Sequence, residues 1–183
     1  IAYGNFGFLQ NVFQSIVKLL NLNSSQAFQN LASRDAGRPG LVTWYSRFGA
    51  AMGLILAVGV AFLFGTGFAS SLLPGQTFQY AALAAVLGFT QWASRVVSSF
   101  GDAKARTVLI QLVVMLVRVG ALAGLVLMVA SDLLNLTTYF LYQIGIFGLT
   151  AVGGAFLLRH HVGQAPPETI SPTEGSRSTL TRY

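Results

Sequence analysis

Five hydrophobic stretches, each long enough to cross a membrane as a helix, constrain this chain more than any other feature of its sequence. A transmembrane helix needs about 20 predominantly apolar residues. Hydrophobic residues make up 54% of the 183 residues and charged residues only 9%, which excludes an ordinary soluble domain. The sequence therefore predicts an all-α, polytopic transmembrane helix bundle within residues 1–161. Its five predicted spans are 3–32, 43–66, 77–98, 107–131 and 134–158.

Positively charged residues at alternate ends of these stretches predict the orientation of the chain. They flank the first and third connections and follow the fifth stretch, whereas the second and fourth connections contain no Lys or Arg. Because positive charge near helix ends is retained in the cytoplasm, we expect the N-terminus outside and the C-terminus inside. Residues 162–183, rich in Pro, Ser, Thr and Gly, are predicted to form a cytoplasmic linker. The absence of a natural start at Ile1 suggests a fragment of a longer protein.

Polar residues recur at helical spacing along the first hydrophobic stretch. Steps of three or four residues place them within about a quarter of the helix circumference. A line of amides, a hydroxyl and one ammonium is costly against lipid, but is stable against water or protein. We therefore expect 3–32 to form one long helix that lines a substrate cavity. The residues of this polar stripe are Asn11, Gln14, Lys18, Asn21, Ser25 and Gln29.

Two cations lie inside the predicted spans. Lys18 is about 14 residues from either end of its stretch, roughly 21 Å, which is too far for its side chain to reach the membrane surface. Arg118 lies about 11 residues after Thr107, with Gln111 on the same helical face. A charge at the bilayer centre costs at least about 2.5 kcal/mol, and no Asp or Glu lies within a predicted span. We expect both cations to face an aqueous cavity, an anionic ligand, or carboxylates on another part of the protein.

Several chemistries lack the residues that they need. The chain has no cysteine, so disulfides and thiolate metal sites are excluded. Its two histidines are adjacent, at 160–161, and no Ser/His/Asp set, carboxylate pair within a span or phosphate-binding glycine loop is present. Positive residues occur singly rather than in a basic patch with interleaved aromatics, which argues against nucleic acid. We expect no enzymatic activity, no cofactor and no metal.

Three segments carry a resemblance to a known transporter family. Ala2-Tyr3-Gly4 leads into the polar stripe, which closes with Gln-Ala-Phe-Gln-Asn-Leu-Ala-Ser-Arg at 26–34. The third stretch closes with Ser-Ser-Phe-Gly-Asp-Ala-Lys-Ala-Arg at 98–106, before Gln111 and the intramembrane Arg118. The fifth stretch precedes a basic linker that ends Leu-Thr-Arg-Tyr. Together these segments resemble the polysaccharide flippases (Wzx type) of the multidrug/oligosaccharidyl-lipid/polysaccharide exporter superfamily.

The resemblance implies a function for the predicted cavity. The five stretches would be helices two to six of a six-helix lobe, and the first helix and a C-terminal lobe would lie elsewhere in the protein. Such proteins carry undecaprenyl-pyrophosphate-linked oligosaccharides across the bacterial cytoplasmic membrane by alternating access, so the partners implied are this anionic glycan and membrane lipids. A cationic cavity suits this substrate. The lack of a carboxylate within a span leaves ion coupling to other parts of the protein.

Two other functions fit parts of the pattern. A multidrug or cation exporter of the same superfamily would share the architecture, but a cationic cavity disfavours cationic drugs. A small membrane protein that acts as a scaffold without transporting anything would need only the hydrophobic stretches. An extended reading frame with six or more further spans would exclude the scaffold.

Overall fold

The computed structural model describes residues 2–22, 24–34, 40–103 and 106–161, and over these residues the chain is all-helical. Six helices of 11 or more residues and one short helix follow one another without a strand in the described part. The predicted linker at 162–183 lies outside the described residues. The helices are α1 (Ala2–Asn21), α2 (Ser24–Arg34), α3 (Leu41–Gly65), α4 (Ala69–Leu72), α5 (Phe78–Ala103), α6 (Thr107–Ala130) and α7 (Leu136–His161).

The prediction of one continuous helix over 3–32 is wrong, because the helix breaks after Asn21. Leu22 has a positive φ of 41°, and its backbone N–H donates to the carbonyls of Lys18 and Leu19 at 3.3 and 3.2 Å. A left-handed residue with such bonds is a common way to end an α-helix. The local sequence Asn-Leu-Asn-Ser-Ser favours this break, since Asn and Ser side chains compete with the helix for backbone hydrogen bonds.

Three helices are long and apolar enough to cross a membrane: Thr43–Gly65 within α3, α6, and Leu136–Leu158 within α7. They correspond to the second, fourth and fifth predicted stretches. The helices α1 and α5 are not among them, because amides, hydroxyls and charged residues interrupt their apolar sequence. The third stretch also extends further than expected, to Ala103, and a short helix occupies part of the second connection.

Helix α5 occupies the centre of the bundle and contacts α1, α2, α3, α6 and α7. Small residues allow this close packing. A Cβ atom on Gly88 would lie 3.4 Å from Val17 and 3.5 Å from the backbone of Phe13, both on α1. Ala81 and Ala84 are fully buried on the same helix. The bundle is therefore organised around the third hydrophobic stretch, not the first.

The small residues of α3 contact α5 only over part of their length. A Cβ atom on Gly49 would lie 2.9 Å from the Trp92 ring, and one on Gly53 would lie 3.4 Å from Phe89. Ala57 and Ala61, at the next two four-residue steps, are exposed. Each four-residue step advances about 40° around a helix, so the line of small residues rotates away from α5. The close approach of α3 to α5 is therefore present only at Gly49 and Gly53 of these four positions.

Helix α6 packs antiparallel to α7 and diverges from α5. Near its start, Ile110 lies between Gly101 of α5 and Gly154 of α7, where its side chain leaves no room for a Cβ atom on Gly101 and would lie 3.5 Å from one on Gly154. Further along, the Tyr142 hydroxyl of α7 donates to the Ala121 carbonyl of α6 at 2.7 Å. None of the most apolar window of α6 is buried. This helix is therefore attached to the bundle along one side.

Candidate functional site

The polar stripe of the first stretch divides into a bonded part and an exposed part. Gln14 donates from Nε2 to Oε1 of Gln91 at 2.6 Å, which joins α1 to α5. Gln91 is only 5% exposed, so this amide pair stabilises the packing of the two helices. Asn11 and Lys18 are exposed, and Gln29 is half-buried on α2. Only part of the predicted cavity lining is therefore open to a ligand.

Asn21 lies at the centre of a hydrogen-bonded cluster at the helix break. Its Oδ1 atom accepts hydrogen bonds from Ser24 at 2.8 Å, from Ser25 at 3.0 Å and from Trp92 Nε1 at 3.0 Å. The Ser25 hydroxyl also lies 3.1 Å from the Tyr45 hydroxyl. These bonds join α1, α2, α3 and α5. Asn21 and Ser25, predicted to line the cavity, have protein partners instead.

The sequence did not identify Trp92 and Tyr45 as partners of the polar stripe. Tyr45 is buried and stacks on Phe28 of α2 with ring centroids 4.1 Å apart, and Trp92 stacks on Tyr45 at 5.9 Å. Both residues combine a large ring with a polar atom, which is the composition expected of a side chain that packs and also donates a hydrogen bond. That composition was the available signal, but it does not specify which helices meet.

An exposed polar line remains on α1. Asn11, Ser15 and Lys18 are spaced by four and three residues and all three are exposed, so they share one face of the helix. Ser15 belongs to this line although the sequence did not single it out. The opposite face, with Leu9 and Phe13, is buried against the core. The exposed line is the part of α1 that a ligand can reach.

The helix break changes the setting of Lys18. The residue lies in the last turn of α1 instead of 14 residues from a helix end. The negative end of the helix dipole favours a cation in this turn. The expected isolation of Lys18 at the centre of a long helix is therefore wrong, and its ammonium is better stabilised than the sequence suggested.

Arg118 lies near the middle of α6, as predicted, and is exposed. A shallow surface depression surrounds it, lined by Gln111, Val114, Met115, Val119 and Leu122. In the part of the chain that the structure describes, no acidic residue forms an ion pair with it, since Asp102 and Asp132 lie at helix ends. Arg118 thus combines a central position in the most apolar helix with an uncompensated charge.

Contacts between helices place Lys18 and Arg118 at similar depth in the bundle. Val17, next to Lys18, packs on Gly88 of α5. Helix α5 contacts α7 through Tyr80 with Phe140 and through Val97 with Gly154. Gly88 lies between these two contacts along α5, at the level of about Ile146 on α7. Arg118 lies between two contacts of α6 with α7, those of Ala121 with Tyr142 and of Val113 with Gly153, and so is also level with about Ile146. The two cations differ in depth by less than about 10 Å.

Helix geometry does not bring the two cations to a common site. Lys18 lies about 40–60° around α1 from Gln14 and Asn21, which bond Gln91 and Trp92 of α5, and about 120° from Phe6, which contacts α7. Because Gln14 and Asn21 lie between Phe6 and Lys18 around the helix, Lys18 is on the side of α1 away from α7. Arg118 lies about 80° around α6 from Ile110, which faces α5 and α7, and the depression around it is lined by residues of α6.

Helix α7 carries aromatic and polar residues that contact both α1 and α6. Tyr139 contacts Phe6 of α1 edge to face at 4.8 Å and stacks on Tyr142 at 6.3 Å, and Tyr142 is bonded to α6. Gln143 donates from Nε2 to the Tyr139 hydroxyl at 3.1 Å. This group of residues links α1 and α6 through α7.

Among the described residues, no group of three His, Asp or Glu side chains is placed to hold a metal ion. Comparison of the chain with family models, curated proteins and solved structures finds no match. The function is therefore argued from the charge and position of Arg118 and Lys18.

Proposed function

We propose that this chain is part of a membrane transporter that moves a lipid-linked anionic glycan across the membrane. The observation that carries this proposal is Arg118, an exposed arginine at the centre of the most apolar helix, without an acidic partner among the described residues. A charge in that position is costly unless water or an anion stabilises it. An undecaprenyl-pyrophosphate-linked oligosaccharide supplies both an anion and hydroxyl groups.

The charge of Arg118 and Lys18 favours an anionic substrate over a cationic one. In this proposal Arg118 binds the anionic end of the substrate, and Lys18 adds positive charge at a similar depth. Gln111 supplies a neutral donor and acceptor in the depression around Arg118. A cationic drug would be repelled by the same two side chains. Transport of an acidic or pyrophosphate-linked glycan is therefore favoured over cation export.

The transporter that we propose has more membrane spans than the three most apolar helices. In this proposal α1 and α5 also cross the membrane, because their polar side chains pair with each other, as Gln14 and Gln91 do, and need not contact lipid. The chain then has five spans, with its N-terminus outside and its C-terminus in the bacterial cytoplasm. A further helix and a second lobe enclose Arg118, and the two lobes rock to expose it alternately to each side.

The proposal is tested by complementation of a flippase-deficient strain with the full-length protein. Arg118→Ala combined with Lys18→Ala is expected to lower polysaccharide export at least about tenfold, since each lost charged contact is worth about 1.5–3 kcal/mol. Arg118→Lys keeps the charge and should retain most of the export. Arg47→Ala, an exposed arginine at the start of α3, serves as the control for general charge loss.

The outcome against the proposal is equally specific. Membrane levels of each variant are measured, so that loss of protein is distinguished from loss of transport. Export at the wild-type level by the double variant, present in normal amount, would refute the anion-binding role. A complete failure of the wild-type protein to support export, with normal membrane insertion, would favour a scaffold.

A further inference from the structure

Helix α6 carries a line of residues at the spacing of a contact between two helices. The steps between them alternate between four and three residues, so at about 100° per residue all of them lie within about 80° of the helix circumference. Alternating steps of four and three are the pattern by which one helix packs along another. We call this line the α6 seam, and its members are Gln111, Met115, Arg118, Leu122 and Val129, which are exposed, and the half-buried Leu125.

Within the described residues, no other helix covers the exposed side chains of the α6 seam. The contacts of α6 with α5 and α7 are made through Ile110 and Ala121, about 80–100° around the helix from the centre of the seam. The middle of the seam is the depression around Arg118, which is lined by residues of α6. The seam is therefore free to receive a helix beside this depression.

Arg118 requires an anion at the middle of the α6 seam. Thr107 and Ala130, the first and last residues of α6, are about 17 Å away along the helix, so the phosphates of membrane lipids lie beyond the reach of the guanidinium. A charged side chain at this depth usually pairs with another ionisable side chain. Because the neighbouring seam residues are apolar, the seam suits a helix that is apolar apart from one acidic residue.

Neither this chain nor a second copy of it supplies that acidic residue. All five Asp and Glu residues of the sequence lie outside the hydrophobic stretches. In a second copy inserted in the same orientation, packing of seam on seam would also place Arg118 against Arg118, and like charges at the same depth repel each other. Charge complementarity therefore selects a different membrane helix.

We propose that a membrane helix with an Asp or Glu at its centre packs along the α6 seam, and that its carboxylate forms an ion pair with Arg118. The helix belongs to the second lobe, and in this respect the inference rests on the proposed transport function. The carboxylate holds Arg118 while no substrate is bound, and the pyrophosphate of the substrate takes its place. Binding of the substrate thus releases the second lobe from α6.

Disulfide cross-linking in the membrane tests the contact in the full-length protein. The 183 residues contain no cysteine, so only cysteines elsewhere need to be replaced first. Met115→Cys and Leu122→Cys, about one turn before and after Arg118, are each combined with a cysteine one turn from each Asp or Glu in the membrane helices of the second lobe. Both should cross-link to the same helix. Leu116→Cys is the matched control, because this exposed leucine lies about 160° around α6 from Arg118 and should not cross-link.

A charge exchange tests the ion pair itself. Arg118→Glu, and the change of the acidic residue on the cross-linked helix to Arg, should each lower the amount of folded protein in the membrane several-fold, because each leaves two like charges at one depth. The two changes together should recover most of the wild-type amount. Replacement of the same acidic residue by its amide should also tighten the binding of farnesyl pyrophosphate at least about tenfold, since a competing anion is lost.

The outcomes distinguish the ion pair from the transport function. Cross-linking at neither seam position, or equally at Leu116→Cys, refutes the docking of a helix on the seam, and additive losses in the charge exchange refute the ion pair. If the wild-type protein binds no farnesyl pyrophosphate while the cross-links form, the contact between the helices stands and the proposed transport fails. The cross-links are measured with Arg118 in place, so they decide the question even where Arg118→Glu prevents folding.

Discussion

Replacing Asn21 by alanine should destabilise the bundle, because this one side chain joins the two parts of the broken helix to α5. Its Oδ1 atom accepts hydrogen bonds from Ser24, Ser25 and Trp92. Hydrogen bonds between membrane helices contribute about 0.6 kcal/mol each on average. The loss of three such bonds predicts a decrease of about 2 kcal/mol in the free energy of unfolding, roughly a 30-fold change in the unfolding equilibrium.

Asn11 provides a matched control on the same helix. Asn11 is also an asparagine of the polar stripe, but it is exposed and lies at the edge of the stripe opposite to Asn21. Asn11→Ala should change the free energy of unfolding by less than about 0.5 kcal/mol, the usual effect of a surface substitution. The two variants therefore separate the loss of the bonded amide from the general effect of removing an asparagine from α1.

The measurement is equilibrium unfolding in mixed micelles, followed by the fluorescence of Trp92. Because Trp44 also fluoresces, the experiment uses a Trp44→Phe background, and Trp44 is 61% exposed, so its replacement disturbs little of the core. Loss of the bond to Asn21 should also shift the Trp92 emission in the folded state. Equal stability of the Asn21→Ala and Asn11→Ala variants, with unchanged emission, would refute the reasoning.

Three further predictions use the same unfolding assay. Gly154→Ala should destabilise the α5–α7 contact by about 1–3 kcal/mol, because its Cβ atom would lie 2.5 Å from Val97, and Val97→Ala in the same chain should recover part of the loss. Gln14→Leu leaves the buried Gln91 amide without its donor and should cost about 1–3 kcal/mol, whereas the double leucine variant should be nearly neutral. Tyr142→Phe should cost about 0.6 kcal/mol, through the loss of its bond to α6.

The sequence predicted the helices well where a long apolar run carries few polar residues. The boundaries of α3, α6 and α7 agree with the stretches at 43–66, 107–131 and 134–158 to within a few residues. Hydropathy is sufficient there, because length and composition alone decide whether such a segment is helical. The first stretch was less predictable, since the break at Leu22 depends on local side-chain hydrogen bonds that a count of apolar residues does not include.

The candidate site was predictable in its charges and less so in its contacts. Arg118 is exposed near the centre of α6, where the sequence placed it. The sequence could not show that Gln14 and Asn21 are bonded to α5, because a helical stripe gives the direction of a side chain and not the identity of the helix that it meets.

The central position of α5 has a consequence for the biogenesis of the protein. Helices such as α3 and α6 are apolar enough to enter a bilayer separately, whereas α1 and α5 carry buried amides that pair with each other. During synthesis α1 emerges from the ribosome before α5, so its Gln14 must wait, without its final partner, until the chain reaches Gln91. In the five-span arrangement that we propose, stable insertion of α1 is then delayed until α5 has been synthesised, so assembly of the bundle depends on the order of synthesis.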